Sequence, residues 1–364
     1  MQKPGTLFIS MFMAGALAFS SAAAADEIDR QKLHEQAQSL FAPLPETVDN
    51  PDNPLSDVKV ELGKMLFYDP RLSESGFISC NSCHNLATYG VDNLPTSLGH
   101  RWALGPRNSP TVLNAALHSV QFWDGRAADV EEQAQGPILN PIEMAIPDGD
   151  AAVERIASMP EYVELFEQAF PDEPESLSYD NVANAIGAFE RTLMTPDRFD
   201  EFLKGDADAL SDNELAGLQV FLNQGCVACH AGPALGGQMM ARFGMVESYW
   251  EATRDFIAID QPTMPMDVGR FAVTQDAGDL YVFKAPSLRN ITRTYPYFHD
   301  GSVWDLRDAT QIMARVQLGS EINEDDMDRL MDFYQTLEGE IPADALKLPI
   351  LPSSRVDTPR PSHE

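Results

Sequence analysis

Two copies of Cys-x-x-Cys-His dominate what this chain can become. Cys80, Cys83 and His84 form the first, Cys226, Cys229 and His230 the second, and together they use all four cysteines of the 364 residues. The pattern is that of c-type haem attachment, in which both cysteines form thioethers and the histidine reaches the iron axially from the next turn. A thioredoxin-like redox pair and half of a zinc site share the spacing. Two complete copies behind an export signal favour two covalent haems over either rival.

That signal lies at the N-terminus, "MQKPGTLFISMFMAGALAFSSAAAADE", with Lys3 supplying charge, Leu7 to Phe19 an apolar core, and small residues ending near Ala25. It reads as a signal peptide over residues 1–25, too short and wrongly flanked for a membrane span. No other stretch approaches spanning length, so the expectation is a soluble exported protein, periplasmic in a Gram-negative source. The formal net charge is −31, which makes nucleic acid an unsuitable partner; such a surface can steer a basic protein or serve solubility alone, and composition does not separate the two.

Each haem motif sits at the same point of a repeated pattern. "LSDVKVELGKMLF" (55–67) precedes the first and "LSDNELAGLQVF" (210–221) the second. Both predict amphipathic helices with Ser or Asp starts, Leu62, Met65 and Leu66 sharing one face and Leu215, Leu218 and Leu222 the other's equivalent. Downstream, "SPTVLNAALHSVQFWDGR" aligns with "APSLRNITRTYPYFHDGS", pairing Pro110 with Pro286, Asn114 with Asn290 and Gly125 with Gly301. Trp123 falls opposite His299. The series in register predicts a duplicated haem domain, mainly α with long loops and little β structure. The expected division is a domain over 26–200, a second over 201–350, and a Pro-rich extended or frayed tail over 351–364. A helix over 324–337 with Met327, Leu330, Met331 and Tyr334 on one face should pack on the second domain, Gly339 suiting its end.

With His84 and His230 proximal, sixth ligands must come from elsewhere or the sites stay open. His34 lies in a polar helix and His363 in the tail, where solvated roles are expected; His118 reads as a core or loop residue. His100 lies in a loop carrying Gly90 and Gly99, able to fold over a haem or to serve the loop alone. Met313 lies where a cytochrome c would carry its distal methionine, although methionine is also common core filler.

The runs "ELGKMLFYDPRLSESGFISCNSCHN", "GVDNLPTSLGH", "GPRNSPTVLNA", "FWDGR" and "VFKAPSLRNITRTYPYFHDG", with the helix holding Met313, resemble the bacterial dihaem cytochrome c peroxidases across nearly the whole mature chain. MauG-type enzymes share that scaffold but carry a tyrosine ligand on the second haem in place of methionine. The resemblance implies that His84 and His100 ligate a low-potential peroxidatic haem, and that His230 and Met313 ligate a high-potential electron-entry haem. It implies Trp123 on the electron route, Glu143 as distal acid–base residue with Gln133 nearby, and a calcium ion held by Asn108, Thr294 and Pro296. It further implies hydrogen peroxide as substrate, a small cytochrome c or cupredoxin as donor, and a homodimer. On residue type alone, Trp123 is equally a core aromatic, Glu143 a solvated loop acid and Asn108 a turn residue, and His299 has a structural hydrogen-bonding role. A MauG-like oxidase of a protein substrate and a plain dihaem electron carrier are the competing functions.

Overall fold

The computed structural model describes residue 1 and residues 29–256 and 266–362, so the signal segment and His363 lie outside the described residues. Helix α1 (Arg30–Leu40) is followed by α2 (Asp57–Tyr68), the single turn α3 (Cys80–Cys83), α4 (Val130–Leu139), α5 (Gly149–Ala157) and α6 (Pro160–Ala169). Then come α7 (Tyr179–Glu190), α8 (Arg198–Leu203), α9 (Asp212–Gln224), α10 (Tyr249–Thr253), α11 (Phe271–Thr274), α12 (Leu306–Met313) and α13 (Glu324–Gln335). Strands β1 (Met240–Arg242) and β2 (Val282–Lys284) pair antiparallel, with Ala241 opposite Phe283. The mainly α expectation holds.

The two helices predicted ahead of the haem motifs form as read. Ser56 caps α2 by accepting from Lys59 N, and Ser211 caps α9 within a capping box completed by Glu214. Each then crosses a partner helix at a glycine. A Cβ on Gly63 would lie 1.8 Å from Ala185 O of α7, and one on Gly217 1.9 Å from Arg329 O of α13, so only glycine permits either approach. One turn later Phe67 packs edge-on to Phe189 at 5.4 Å, and Phe221 packs on Phe333 at 5.4 Å. The repeat seen in sequence is thus a repeat of packing. It continues in backbone form, since Asn114 and Asn290, Phe122 and Phe298, and Gly125 and Gly301 all have positive φ.

The two halves meet through their own repeated asparagines. Asn114 Nδ2 and Asn290 Nδ2 each donate to Thr195 Oγ1 at 2.8 Å, and Thr195 N returns a bond to Asn114 Oδ1. Beside them Arg289, fully enclosed, holds Asp197 at 2.5 Å and Asp200 at 2.7 Å.

Chain ends cross between the two cores. Leu33 and Ala37 of α1, with Phe41 just after it, join the second cluster with Phe199, Phe221 and Phe333, while Ala345 joins the first with Leu62, Phe67 and Phe189. Among the described residues the C-terminal segment is held by side-chain bonds to the first half. Asp344 pairs with the enclosed Lys64 at 3.2 Å, Arg71 donates to Pro352 O, and Ser158 bonds Thr358. Helix α13 ends at Gln335, two residues before the sequence estimate, and Gly339 serves contact instead: a Cβ there would lie 2.1 Å from Thr195 O.

Candidate active site

Each Cys-x-x-Cys-His borders its own cavity. The first, about 710 Å³, is bordered by Cys80, Cys83, His84, Gln133, Glu143 and Trp123. The second, about 160 Å³ and more apolar, is bordered by Cys226, Cys229, His230, Met313, Tyr334 and again Trp123. Trp123 is the wall common to both. Its Nε1 donates to Asn108 O at 2.9 Å and its ring meets His299 edge-on at 6.3 Å.

These residues fit two haems by their chemistry. The four thiols are unpaired and lie beside the cavities rather than against one another as disulfides. His230 Nδ1 is 3.2 Å from Leu235 O, a contact that orients the ring and leaves Nε2 free to serve as a ligand. His84 Nδ1 is enclosed without a hydrogen bond, its nearest main-chain acceptors being Gly90 and Pro110, while Leu235 and Pro286 serve His230; the repeated prolines thus face the same ring in both halves. Among the described residues no three His, Cys, Asp or Glu side chains are grouped to hold a metal ion, so neither motif has the companions a zinc site needs.

Glu143 lies in the first cavity, its Oε1 accepting from Asn140 Nδ2 at 2.9 Å. Burial pushes its carboxyl up from the usual range, against the opposing pull of Arg126 and Asn140. His100 is buried next to it, but Gly99, not His100, borders the cavity, and His100 Nδ1 is enclosed without a partner. The two segments are clamped by backbone: His100 N donates to Glu143 O at 2.8 Å, and a Cβ on Gly99 would fall 1.9 Å from Ile142 O. Arg101 and Trp102 complete this turn with φ of 55° and 62°, left-handed values that non-glycine residues adopt at a cost.

Several cavity residues carried no sequence expectation. Arg126, in "FWDGR", lies 3.4 Å over the Phe122 ring, pairs with Asp124 at 2.9 Å and puts a cation in the cavity. Glu190 at the end of α7 is enclosed there, and burial with Glu131 raises its carboxyl to about 8. The "FWDGR" run was the available signal for Arg126; nothing in the helical pattern marks Glu190 as facing a cavity. His34, expected in solvent, is half-buried, its ring edge-on to Phe202 with centroids 5.0 Å apart, because α1 packs on the second core. His118 is half-buried against Lys284, and His299 stacks on Phe283 at 4.2 Å with Nε2 3.3 Å from Tyr249 OH.

The residues implied as a calcium site come from neighbouring segments. Asn108 Nδ2 donates to Leu94 O and Asn93 Nδ2 to Tyr295 O, the residue joined to Pro296 by a cis peptide bond, so the 93–95 loop touches both the Asn108 and 294–296 segments.

Known proteins agree with this architecture. A profile described as di-haem cytochrome c peroxidase matches residues 57–208. Cytochrome c551 peroxidase of Pseudomonas aeruginosa is 48% identical over 334 residues, covering 91% of this chain and 92% of its own. Methylamine utilization protein MauG of Methylorubrum extorquens is 36% identical, covering 85% of this chain and 86% of its own. A crystal structure of a MauG-like protein associated with microbial copper homeostasis superimposes with a TM-score of 0.72 at 29% identity, covering 84% of this chain and 97% of the other. Two repeated α domains with one Cys-x-x-Cys-His cavity each define a dihaem oxidoreductase. The chain belongs to the di-haem cytochrome c peroxidase family, and it is an enzyme of the peroxidase type.

Proposed function

We propose that the protein reduces hydrogen peroxide to water at the first cavity, using electrons from a small reduced cytochrome c or cupredoxin that enter at the second. The observation that carries this reading is Glu143, a carboxyl of raised pKa in the same cavity as His84, with Trp123 as the wall shared with His230 and Met313. Haems held through Cys80 and Cys83 and through Cys226 and Cys229 would supply a peroxide-binding iron and an electron-accepting centre. The residues do the rest. Asn140 engages Glu143 Oε1, leaving Oε2 to take a proton from the inner peroxide oxygen and deliver it to the outer one, so that water can leave. Gln133 and Arg126 line the same space, where a fixed dipole and a cation favour negative charge developing on oxygen. Trp123 offers an aromatic bridge between the two centres.

His100 is proposed as a removable sixth ligand. Glu143 bordering the cavity with His100 outside it supports an open arrangement, and the His100 N to Glu143 O bond means that neither segment moves alone. Reduction of the second haem would shift the balance between closed and open forms by favouring one of them. A calcium ion at Asn108, Thr294 and Pro296, a homodimer and periplasmic export complete the proposal.

A MauG-like role is disfavoured by Met313, which borders the second cavity, and a plain electron carrier has no use for a half-buried carboxyl in an open cavity. The test is peroxide-dependent oxidation of a reduced cytochrome c by the holoprotein, with and without pre-reduction and calcium, followed in the visible spectrum. A fully oxidised enzyme that turns over without lag, with a high-spin haem at rest, would remove His100 gating.

A further inference from the structure

Beside the second cavity lies a cation that the peroxidase reading does not use. Lys284, on β2, is 5% exposed and borders the second cavity. Its Nζ lies 3.0 Å from His118 Nδ1 and donates to Val120 O at 3.1 Å. Its main-chain N donates to Trp123 O at 2.8 Å. His118 belongs to the first repeat and Lys284 to the second, so the pair bridges the halves beside the shared tryptophan. The space for it is built: a Cβ on Gly237 would fall 2.1 Å from His118 Cδ2, and His118 Nε2 is enclosed without a partner.

No carboxylate pairs directly with Lys284 among the described residues. Asp124 is the acidic group acting on it, and Asp124 is already engaged by Arg107 at 2.6 Å and Arg126 at 2.9 Å. Arg107 in turn holds Asp267 at 2.6 Å, and Arg270 donates to the carbonyls of Asp124 and Gly125. The imidazoles nearby are His230, across the cavity, and His299, stacked on Phe283. An ammonium so enclosed loses hydration without gaining a counter-ion, and burial brings Lys284 down to about 7. Burial and Lys284 hold His118 well below its ordinary value, so near neutrality the pair carries one proton or none.

We propose that Lys284 and His118 form a redox-linked proton site of the second haem. This rests on the haem reading of the second cavity. When a donor molecule gives up one electron to that haem, the pair takes one proton from solvent; when the electron moves on past Trp123, the proton returns. The interior then gains an electron and a proton together, avoiding an uncompensated charge in a poorly solvated region. By linkage, protonation makes reduction easier to the same extent that reduction makes protonation easier. Lys284 is a positioning residue for charge and touches no substrate.

The test is spectroelectrochemical titration of the second haem across pH 5.5–9 in the holoprotein and in K284M, K284R and H118Q. The expected wild-type potential falls as pH rises through neutrality. K284M should be flat and low over that range, and K284R, permanently charged, flat and near the acid-side value of the wild type. H118Q should keep a slope displaced along the pH axis. K284R also covers the case in which K284M does not assemble. An unchanged slope in both Lys284 variants overturns the proposal and assigns the proton to the haem propionates, which every variant retains. A flat wild-type potential overturns it as well. Absence of haem on Cys226 and Cys229 by mass would overturn the cavity reading itself, whereas either electrochemical result on an intact haem overturns the proton site alone.

Discussion

Glu143→Gln isolates proton transfer from everything else the first cavity does. The change is nearly isosteric, and a glutamine Oε1 can still accept from Asn140 Nδ2, now at 2.9 Å. The main-chain clamp from His100 N to Glu143 O does not involve the side chain at all. Burial already opposes the Glu143 charge, so removing that charge costs the fold little, less than about 1 kcal/mol for the weakened attraction to Arg126. What disappears is the group that can both accept and return a proton. General acid–base catalysis contributes about 10²–10⁴-fold, or about 2.7–5.4 kcal/mol of barrier at ~1.36 kcal/mol per tenfold. Steady-state peroxide turnover with a reduced cytochrome should therefore fall by at least about a hundredfold. Thermal midpoint and both haem potentials should stay close to wild type. Turnover within a few-fold of wild type, with haems intact, would refute the assignment of proton transfer to Glu143.

Three other perturbations probe the scaffold and the electron route. Arg289→Met strands Asp197 and Asp200, both with fully enclosed side chains, and removing one partner of a buried pair costs about 3–5 kcal/mol. Burial, opposed by Arg289 and aided by Asp200, already raises the Asp197 carboxyl to about 6; a group raised on folding contributes stability at low pH that is lost as pH climbs through the folded value. The variant's deficit in thermal melts should hence be smaller near pH 5 than near pH 8, and equal deficits would contradict the buried-charge account. Trp123→Phe removes the Nε1 bond to Asn108 O, worth about 1 kcal/mol, and should slow electron passage between the haems in stopped-flow single turnovers while leaving peroxide binding unchanged. Truncation after residue 340 removes Asp344 from Lys64 and Ala345 from the first core, so hydrogen exchange should rise in α2 and α6 and stay unchanged in α9 and α13.

Local signals in this sequence translate directly into structure. Ser56 and Ser211 start their helices, the Gly63 and Gly217 crossings repeat, and the residues from Pro110 and Pro286 onward reproduce each other's backbone signs. Each of these depends on neighbours within a turn or on a duplicated pattern. The exchange of chain ends does not: α1 packs on α9 and the tail lies along α2 through contacts far apart in sequence, with no periodic mark. The same holds for Lys284 with His118, two polar residues 166 positions apart whose meeting depends on how the halves dock. Glycines near His100 suggest a mobile loop, whereas Gly99 is there for contact, since any side chain would strike Ile142 O. Glu143, Gln133 and Trp123 are marked in the sequence only by a family resemblance; all three line the first cavity, together with Arg126 and Glu190, which carried no sequence expectation.

The central claim is that one chain joins peroxide chemistry at His84 to electron entry at His230. Its most direct measurement is the stoichiometry of reduced cytochrome c oxidised per hydrogen peroxide consumed, using holoprotein whose mass shows two covalent haems. The account predicts two donor molecules oxidised for each peroxide, with no reaction when either substrate is omitted. Peroxide loss without donor oxidation, or donor oxidation by a protein carrying only one haem, would contradict it.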